Sequence, residues 1–484
     1  MELQTAPVRL RSAPMSTAWP ALVPPVVLAL SSLVAFAWIL RTQLQRLYGL
    51  TAPSWDTAQG QQLIWSLAGG HGWASSYEQA NFLGIHLELV LLPIAAVERL
   101  WPHPAVPLIF AAAGLAATAP AAFLMLRALL PERPGRTWLA LALAAPMPFW
   151  ASTQEAARDQ FHPETMALAM AMLALWAGLR QKRALLWALV VLVLSIKEDQ
   201  TYIAFLIGLV VWRLGTPAMK SHGRAVMILA VAWLLIGAGV VELFIRKGGY
   251  SPDFAYYAWM VDPGRPNILT RALLRPDAWL AVAGLLASLL GLPLLAPRWL
   301  LLAVPPLVAN LLSSNDVMEK FQLHYVMLIM FPLVVAAGFG ACRLLEERTI
   351  PTWLPAPALL LGVVPALLIG FAGGRLPPSL GADPWLYARP PAADRLLAAT
   401  RVIPAGAPVY ADDGTAVWLS DRTLIAQIPE PLLPDRYVVV DLQDWTLRYE
   451  PGEAARHSSG RMLATGRRLL VDDGRFQVWS PAGG

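Results

Sequence analysis

The stretch LVLSIKEDQTYIAF, residues 192–205, places three consecutive charged side chains, those of Lys197, Glu198 and Asp199, between two apolar runs. A charged side chain at the centre of a membrane helix costs about 3 kcal/mol. The stretch is therefore not the middle of one long membrane helix. It predicts a corner between two short helices, with the charges at the membrane surface or in a cavity that opens onto that surface.

The composition is that of a polytopic membrane protein. Of the 484 residues, 57% are hydrophobic and only 14% are charged, whereas soluble domains carry about 25% charged residues. The net charge of +5 is modest, and no basic run with interleaved aromatic residues indicates nucleic-acid binding. The single cysteine, Cys342, allows no intramolecular disulfide from which a compartment could be inferred.

Hydrophobic runs predict an all-α transmembrane domain with about eleven helices, several of them shorter than the roughly 20 residues of a standard span. Short spans are compatible with helices that end in a protein-lined cavity. The expected spans are 19–40, 105–129, 137–153, 164–179, 184–197, 200–212, 225–245, 278–296, 299–313, 324–342 and 352–372.

Segment 86–101 decides the topology. It contains His86, Glu88, Glu98 and Arg99, so we expect a helix along the membrane interface rather than a span. This choice places the clusters of arginine and lysine at the inner face, as the positive-inside rule requires. In the cytoplasmic membrane, the N-terminus is then expected inside and the C-terminus outside.

The chain divides into three expected regions. Residues 1–18 form a cytoplasmic tail, and residues 19–374 form the transmembrane domain with a long first outer loop, 42–104. Turn clusters and strand-like runs such as APVYAD, RYVVVD and RFQVW predict a small soluble α/β domain outside the cytoplasm over 375–484. Asp441, at the end of RYVVVD, either takes part in catalysis or simply ends a buried strand.

Under this topology, ionisable residues from distant parts of the chain collect at the outer helix ends. Ionisable residues beside apolar runs commonly mark functional sites. For any single one of them, however, the ordinary polarity of loops is a sufficient explanation. Tyr325 also suits an interfacial aromatic belt. The candidate cavity residues are His86, His162, Glu164, Lys197, Glu198, Asp199, His324 and Tyr325, with Asp159 as a further acid.

Two motifs at these outer ends, FHPE (161–164) and KED (197–199), are expected to be neighbours. Proline and an acid at a helix start are ordinary helix-start chemistry, but His162 has no such explanation. Lys197 is expected to pair with Glu164, Glu198 or Asp199. The pair would act either as a structural clamp or as part of a phosphate site.

Asp56 is the candidate catalytic carboxylate. It precedes a short amphipathic helix in SWDTAQGQQLIWSLAGG (54–70), which we expect to lie flat at the interface. Asp56 could equally cap the start of that helix.

At these residues the sequence resembles the uncharacterised multi-pass membrane family called domain of unknown function 2079. The resemblance covers most of 40–345. It departs from the family pattern at Thr57-Ala58, where the family has Leu-Gly, and after His86, where its H-F-S-P is not kept. The matching positions are Asp56, Gln62, Trp65 and Gly70, the complete FHPE and KED motifs, and Leu311–Ser313 with Tyr325.

That family is similar in layout to the C-type (GT-C fold) membrane glycosyltransferases, which carry an essential aspartate in a long first outer loop. The resemblance implies transfer of a sugar from a polyprenyl-phosphate-linked donor in the membrane to a glycan or protein acceptor outside. Asp56 would be the base, and Lys197 with His162 or His324 would hold the phosphate. A divalent metal held by Asp56 with Glu164 or Glu198 is compatible with this chemistry, although no metal-binding spacing supports it.

Two other classes of function remain open at this point. A transporter or lipid flippase also uses charged groups and short helices, but its ionisable groups should lie at mid-membrane depth in both halves. A non-catalytic membrane scaffold would lack a cavity that joins Asp56, His162 and Lys197.

The predicted topology can be tested with a reporter fused after Gly484. We expect a reporter that is active only outside the cytoplasm to work there, because the C-terminal region follows an odd number of spans. Fusions after Arg133 and Lys182, in predicted inner loops, serve as controls. Activity of a cytoplasm-only reporter after Gly484 would contradict the topology.

Overall fold

The structure is a computed structural model that describes residues 18–77, 80–240, 256–261, 275–347, 356–428, 431–448 and 459–483. The predicted tail 1–18 lies almost entirely outside the described residues. In the first half the helices are α1 (Ala18–Tyr48), α2 (Gln59–Ala68), α3 (Leu91–Leu100), α4 (Ala105–Ala116), α5 (Thr118–Leu129), α6 (Arg136–Ala144), α7 (Ala151–Arg158), α8 (Glu164–Leu179), α9 (Arg183–Leu194), α10 (Thr201–Leu214) and α11 (Pro217–Val240).

The second half continues with further helices and a sheet. The helices are α12 (Pro276–Ser288), α13 (Pro297–Leu300), α14 (Val304–Leu312), α15 (Asp316–Glu319), α16 (Met327–Glu346), α17 (Val363–Gly373), α18 (Pro384–Tyr387), α19 (Ala393–Ala399), α20 (Asp413–Ala416) and α21 (Ser459–Ala464). The strands are β1 (Ala74–Ser75) and β2 (Ala80–Asn81) in a small hairpin, then β3 (Val409–Ala411), β4 (Ile425–Gln427), β5 (Tyr437–Asp441), β6 (Leu469–Asp472) and β7 (Phe476–Trp479).

Within the described part of the chain, four helical stretches are long and apolar enough to cross a membrane. They are Leu22–Tyr48, Ala105–Leu129, Pro217–Gly239 and Leu323–Glu346. Shorter apolar helices accompany them at Glu164–Leu179, Arg183–Leu194, Pro276–Ser288, Pro297–Leu312 and Ala358–Gly373. The predicted total of about eleven spans stays a prediction, because the shorter helices fall below the roughly 20 residues of a standard span.

Two predicted spans are interrupted: 278–296, where α12 ends at Ser288 and a separate 3₁₀ turn follows, and 137–153. In place of a helix over 137–153, α6 ends at Ala144, a 3₁₀ turn follows, and α7 is a separate helix. Pro146 and Pro148 explain the break, because proline cannot donate the backbone hydrogen bond that continues a helix. The predicted corner at 197–199 is confirmed: α9 ends at Leu194, and a 3₁₀ turn over Glu198–Gln200 leads into α10.

The C-terminal strands form a five-stranded mixed sheet in the order β4-β3-β5-β7-β6. Strand β3 is parallel to both β4 and β5, whereas β7 is antiparallel to β5 and β6. Asp441 ends β5 and forms two hydrogen bonds of 2.9 Å with the guanidinium of Arg475. The buried carboxylate therefore links the end of β5 to the residue just before β7. This agrees with the hypothesis that Asp441 simply ends a buried strand.

The sheet shares a hydrophobic core with the first outer loop. Leu47, Leu50 and Leu63 belong to the same buried cluster as Val409 and Phe476. Because the two surfaces exclude water from each other, this part of the C-terminal region and the first outer loop are packed as one body. Backbone contacts fasten the same surfaces: the Trp418 indole donates to Leu47 O over 3.0 Å, and the Thr51 hydroxyl donates to Leu386 O over 2.8 Å.

The contact between α16 and the segment after α12 depends on a glycine. A Cβ added at Gly340 would lie 2.0 Å from the carbonyl oxygen of Leu292. We expect Gly340→Ala to lower the free energy of unfolding by about 1–3 kcal/mol, because backbone atoms must move to admit the methyl group. Thermal unfolding in detergent measures the effect.

Gly284→Ala is the matched control, since a Cβ at this position in α12 meets nothing within 4 Å. Equal melting temperatures for the two variants would contradict close packing at Gly340.

Candidate active site

A cavity of about 640 Å³ lies where the ends of several helices meet the segment 42–104, the predicted first outer loop. Apolar side chains such as Leu234 and Leu328 line one part of it, and ionisable side chains line another. Asp159, the further acid, does not line this cavity but contacts His162 and His324. The nine other candidate residues expected from the sequence reach the cavity. They are Asp56, His86, His162, Glu164, Lys197, Glu198, Asp199, His324 and Tyr325.

The FHPE and KED motifs are in direct contact, as predicted. Lys197 Nζ lies 3.0 Å from Glu164 Oε1, and both side chains are largely buried. Burial lowers the pKa of Lys197, but the negative charges of Glu164 and its neighbours outweigh it and hold that pKa well above its ordinary value. The ammonium group is therefore charged at neutral pH.

Glu198 connects the KED corner to the first outer loop. Its carboxylate lies 2.8 Å from His86 Nδ1 and accepts the backbone N–H of Leu87 over 2.9 Å. Burial raises the pKa of Glu198, but the hydrogen bond from His86 and nearby positive charges outweigh burial and lower that pKa to about 2. Asp199 accepts from the Gln200 amide over 2.8 Å, and its burial raises its pKa to about 6.

Asp159, His162 and His324 form a compact cluster. The two imidazole rings stack with centroids 3.7 Å apart. Asp159 Oδ2 contacts His324 Nδ1 and lies 3.2 Å from His162 Nε2. Burial opposes charge on the His162 ring, but Asp159 and Asp56 raise its pKa well above the ordinary value. Burial likewise raises the pKa of Asp159, yet the two histidines bring it down to about 2.

The same cluster has the donor atoms of a metal site. One atom each from Asp159, His162 and His324 lies within 4.8 Å of the others. His162 Nε2 is also 3.4 Å from Asp56 Oδ1, and this buried atom has no hydrogen bond among the described residues. Ligand atoms about 2.1 Å from a tetrahedral cation lie roughly 3.4 Å apart, so the spacing around His162 fits a divalent ion, which would replace the proton on the ring.

The metal set expected from the sequence differs from this one. Glu164 and Glu198, the proposed partners of Asp56, are engaged by Lys197 and His86. The sequence signal for the observed set is the i, i+3 spacing of Asp159 and His162, which places both at one chain turn.

Asp56 does not cap a helix. It lies in a π-helical turn over Ser54–Ala58, and Ala58 occupies the N-cap position of α2 with no side-chain hydrogen bond. The capping alternative for Asp56 is therefore wrong. Its carboxylate is about a third exposed and lies 3.4 Å from His162 Nε2.

Helix α2 is buried in the protein, whereas the sequence predicted that it lies flat at the interface. Leu63 and Ile64 are fully buried. The buried amide of Gln62 donates to Arg422 O over 3.0 Å. The C-terminal region thus covers Gln62, and Glu98 accepts from the buried Gln61, contacts that the local pattern could not reveal.

Glu88 is a cavity residue that the sequence reasoning did not select. Its burial raises its pKa to about 7. An acid inside the apolar run HLELVL was the available signal.

Apolar helices whose ends enclose a polar cavity are the architecture of a polytopic membrane protein. The structure matches ArnT from Cupriavidus metallidurans bound to undecaprenyl phosphate with a TM-score of 0.54 and 13% sequence identity, over 97% of this chain and 100% of that chain. The chain belongs to the family "Predicted membrane protein (DUF2079)", whose profile matches residues 46–445.

Other similarities are weaker. The apo form of the Archaeoglobus fulgidus oligosaccharyltransferase matches with a TM-score of 0.46 and 12% identity, over 96% of this chain and 75% of that chain. Comparison with curated protein sequences finds no significant match.

The buried Lys197–Glu164 pair should be essential for folding. Removing one partner of a buried pair leaves an uncompensated charge, so we expect Lys197→Met to lower the free energy of unfolding by about 3–5 kcal/mol. Adding Glu164→Gln should recover part of this loss, as thermal unfolding in detergent would show.

The exposed pair Arg343–Glu347 provides the control, because Arg343→Ala should cost less than about 1 kcal/mol. A double variant less stable than Lys197→Met would contradict the pairing.

Proposed function

We propose that this protein is a membrane glycosyltransferase that moves a sugar from a polyprenyl-phosphate-linked donor to an acceptor at the outer face of the cytoplasmic membrane. The observation that carries the proposal is the single cavity that Asp56, His162 and Lys197 line together with apolar side chains. The fold shared with ArnT, a protein whose structure holds undecaprenyl phosphate, supports the lipid class of the donor.

The apolar part of the cavity suits the lipid. Leu234, in the apolar stretch Pro217–Gly239, is half exposed. Ala309 and Leu328 line the cavity with it. A polyprenyl chain that approaches from the membrane can lie against these side chains, because burying apolar surface on both partners is favourable.

Binding of the donor phosphate requires positive charge, and the described residues that line the cavity provide little of it. Lys197 is the lysine that lines the cavity, and it faces the carboxylates of Glu164, Glu198 and Asp199. An anionic donor would be repelled unless further positive charge were present. We assign this role to His162, as an imidazolium group or as a ligand, with His324 and Asp159, of a divalent cation.

Asp56 is the proposed base. Its partly exposed carboxylate takes the proton of an acceptor hydroxyl, and that oxygen attacks the anomeric carbon of the donor sugar. The bond between this carbon and the phosphate oxygen breaks, and the electron pair leaves with the polyprenyl phosphate. Positive charge near the departing phosphate stabilises the transition state.

The alternatives have less support. A transporter should carry ionisable groups at mid-membrane depth in both halves of the chain, whereas the candidate residues converge on one cavity. A scaffold gives no reason for a cavity that joins the first outer loop to both sequence motifs.

Asp56→Asn tests the reaction. Asparagine keeps the size of the side chain but removes the base, and loss of a general base lowers a rate by roughly 10²–10⁴-fold. The measurement is consumption of undecaprenyl-phosphate-linked radiolabelled sugars by the purified protein. We expect normal abundance in the membrane and loss of product.

Asp421→Asn, which changes an exposed carboxylate in the C-terminal region, is the control and should keep full activity. Wild-type amounts of product from Asp56→Asn would overturn the role of Asp56 as the base.

A further inference from the structure

The turn that carries Asp56 is held by the C-terminal region. Ser54, two residues before Asp56, donates its backbone N–H to Asp413 Oδ1 over 2.8 Å, and its hydroxyl donates to the same oxygen. Asp413 lies at the start of α20, directly after strand β3. Ser54 is fully buried, so these hydrogen bonds form away from water and fix the backbone strongly.

A second contact holds the next residue. The indole N–H of Trp55 donates to Gln427 Oε1 over 3.0 Å, and the Gln427 amide donates to Asp413 Oδ1 over 2.9 Å. Gln427 ends strand β4, which is paired with β3. Asp413, just after β3, and Gln427, at the end of β4, therefore lie side by side and contact Ser54 and Trp55.

Close backbone packing makes this attachment rigid. A Cβ added at Gly414 would lie 2.0 Å from Leu50 O, so the two segments touch through their main chains. Displacing α20 would therefore move the chain that leads to Asp56.

Among the described residues, His162 is the ion-pair partner of the Asp56 carboxylate. The carboxylate is about a third exposed, and His162 Nε2 is 3.4 Å away. A general base must lie within about 3 Å of the atom that carries the proton it removes. Small shifts of the turn would thus be felt directly in the rate.

We propose that Asp413 and Gln427 are positioning residues that hold the Asp56 turn in its reactive geometry, so that the C-terminal sheet is a working part of the active site. This inference rests on the proposed function, because it assigns a role in the same reaction. Both residues act through Ser54 and Trp55.

The test compares Asp413→Ala with Asp413→Asn. Asp413 accepts all three hydrogen bonds through one oxygen, Oδ1, which an asparagine side chain also supplies. With undecaprenyl-phosphate-linked sugar as the probe, we expect Asp413→Ala to lower kcat by about 10–100-fold with little change in KM for the donor. Asp413→Asn should restore kcat almost fully.

Asp473→Ala is the matched control. Asp473 also accepts backbone hydrogen bonds, from Arg475 and Phe476, but it lies in the turn between β6 and β7 at the opposite edge of the sheet. Its loss should leave kcat unchanged. Equal losses of kcat in Asp413→Ala and Asp473→Ala would show a general structural effect and overturn the proposal, as would wild-type kcat in Asp413→Ala.

Gln427→Ala covers the case in which Asp413→Ala does not accumulate. It removes the contact with Trp55 and one contact with Asp413, so a smaller fall in kcat is expected, and an unchanged kcat would refute the proposal.

Asp56→Asn separates failure of the positioning role from failure of the proposed function. If it abolishes turnover while Asp413→Ala does not alter it, the positioning role fails and the proposed function stands. If Asp56→Asn keeps full turnover, Asp56 is not the base and the positioning role fails with it, while the sugar transfer stands. If the wild-type protein consumes no donor, the proposed function fails.

Discussion

The arrangement of the helix ends around the cavity depends on the ion pair between Lys197 and Glu164. Both groups lie at the ends of apolar helices, where an unpaired charge is expensive. Pairing them over 3.0 Å fastens the corner between α9 and α10 to the start of α8. Glu198 extends the connection to the first outer loop through His86. Three distant parts of the chain are thus drawn to one place by the need to pair buried charges, and the cavity lies where they meet.

The charges in this cavity also limit its chemistry. Among the described residues that line the cavity, carboxylates outnumber fixed positive charges, since Asp56, Glu88, Glu164, Glu198 and Asp199 face one lysine, Lys197. A neutral ligand would gain little from such an arrangement. An anionic donor becomes acceptable only with added positive charge, which is why the stacked histidines beside Asp159 are central to the proposed reaction.

The C-terminal sheet and the first outer loop form one structural unit. Their side chains share a core, and Gln62, Ser54 and Trp55 all bond to the C-terminal region. A catalytic residue in a loop must be positioned by a rigid scaffold. The sheet holds the turn around Asp56 through these contacts. Asp56 is therefore part of the first outer loop in sequence, but its position depends on the C-terminal sheet.

The sequence by itself determined the membrane class, the corner at 197–199, the histidines, the lysine and the acids of the cavity other than Glu88, and the strands of the C-terminal sheet, because hydrophobic period, charge placement and turn residues are local properties. Its hydrophobicity alone was misleading at 137–153, where prolines break the helix. The tertiary structure decided that Asp56 is not a cap, that α2 is buried, and that Asp159 joins the histidines. These outcomes depend on contacts such as Ser54 with Asp413, 359 residues apart. A local pattern shows that a buried donor needs a partner, but only the packing of the whole chain brings a particular acceptor to it.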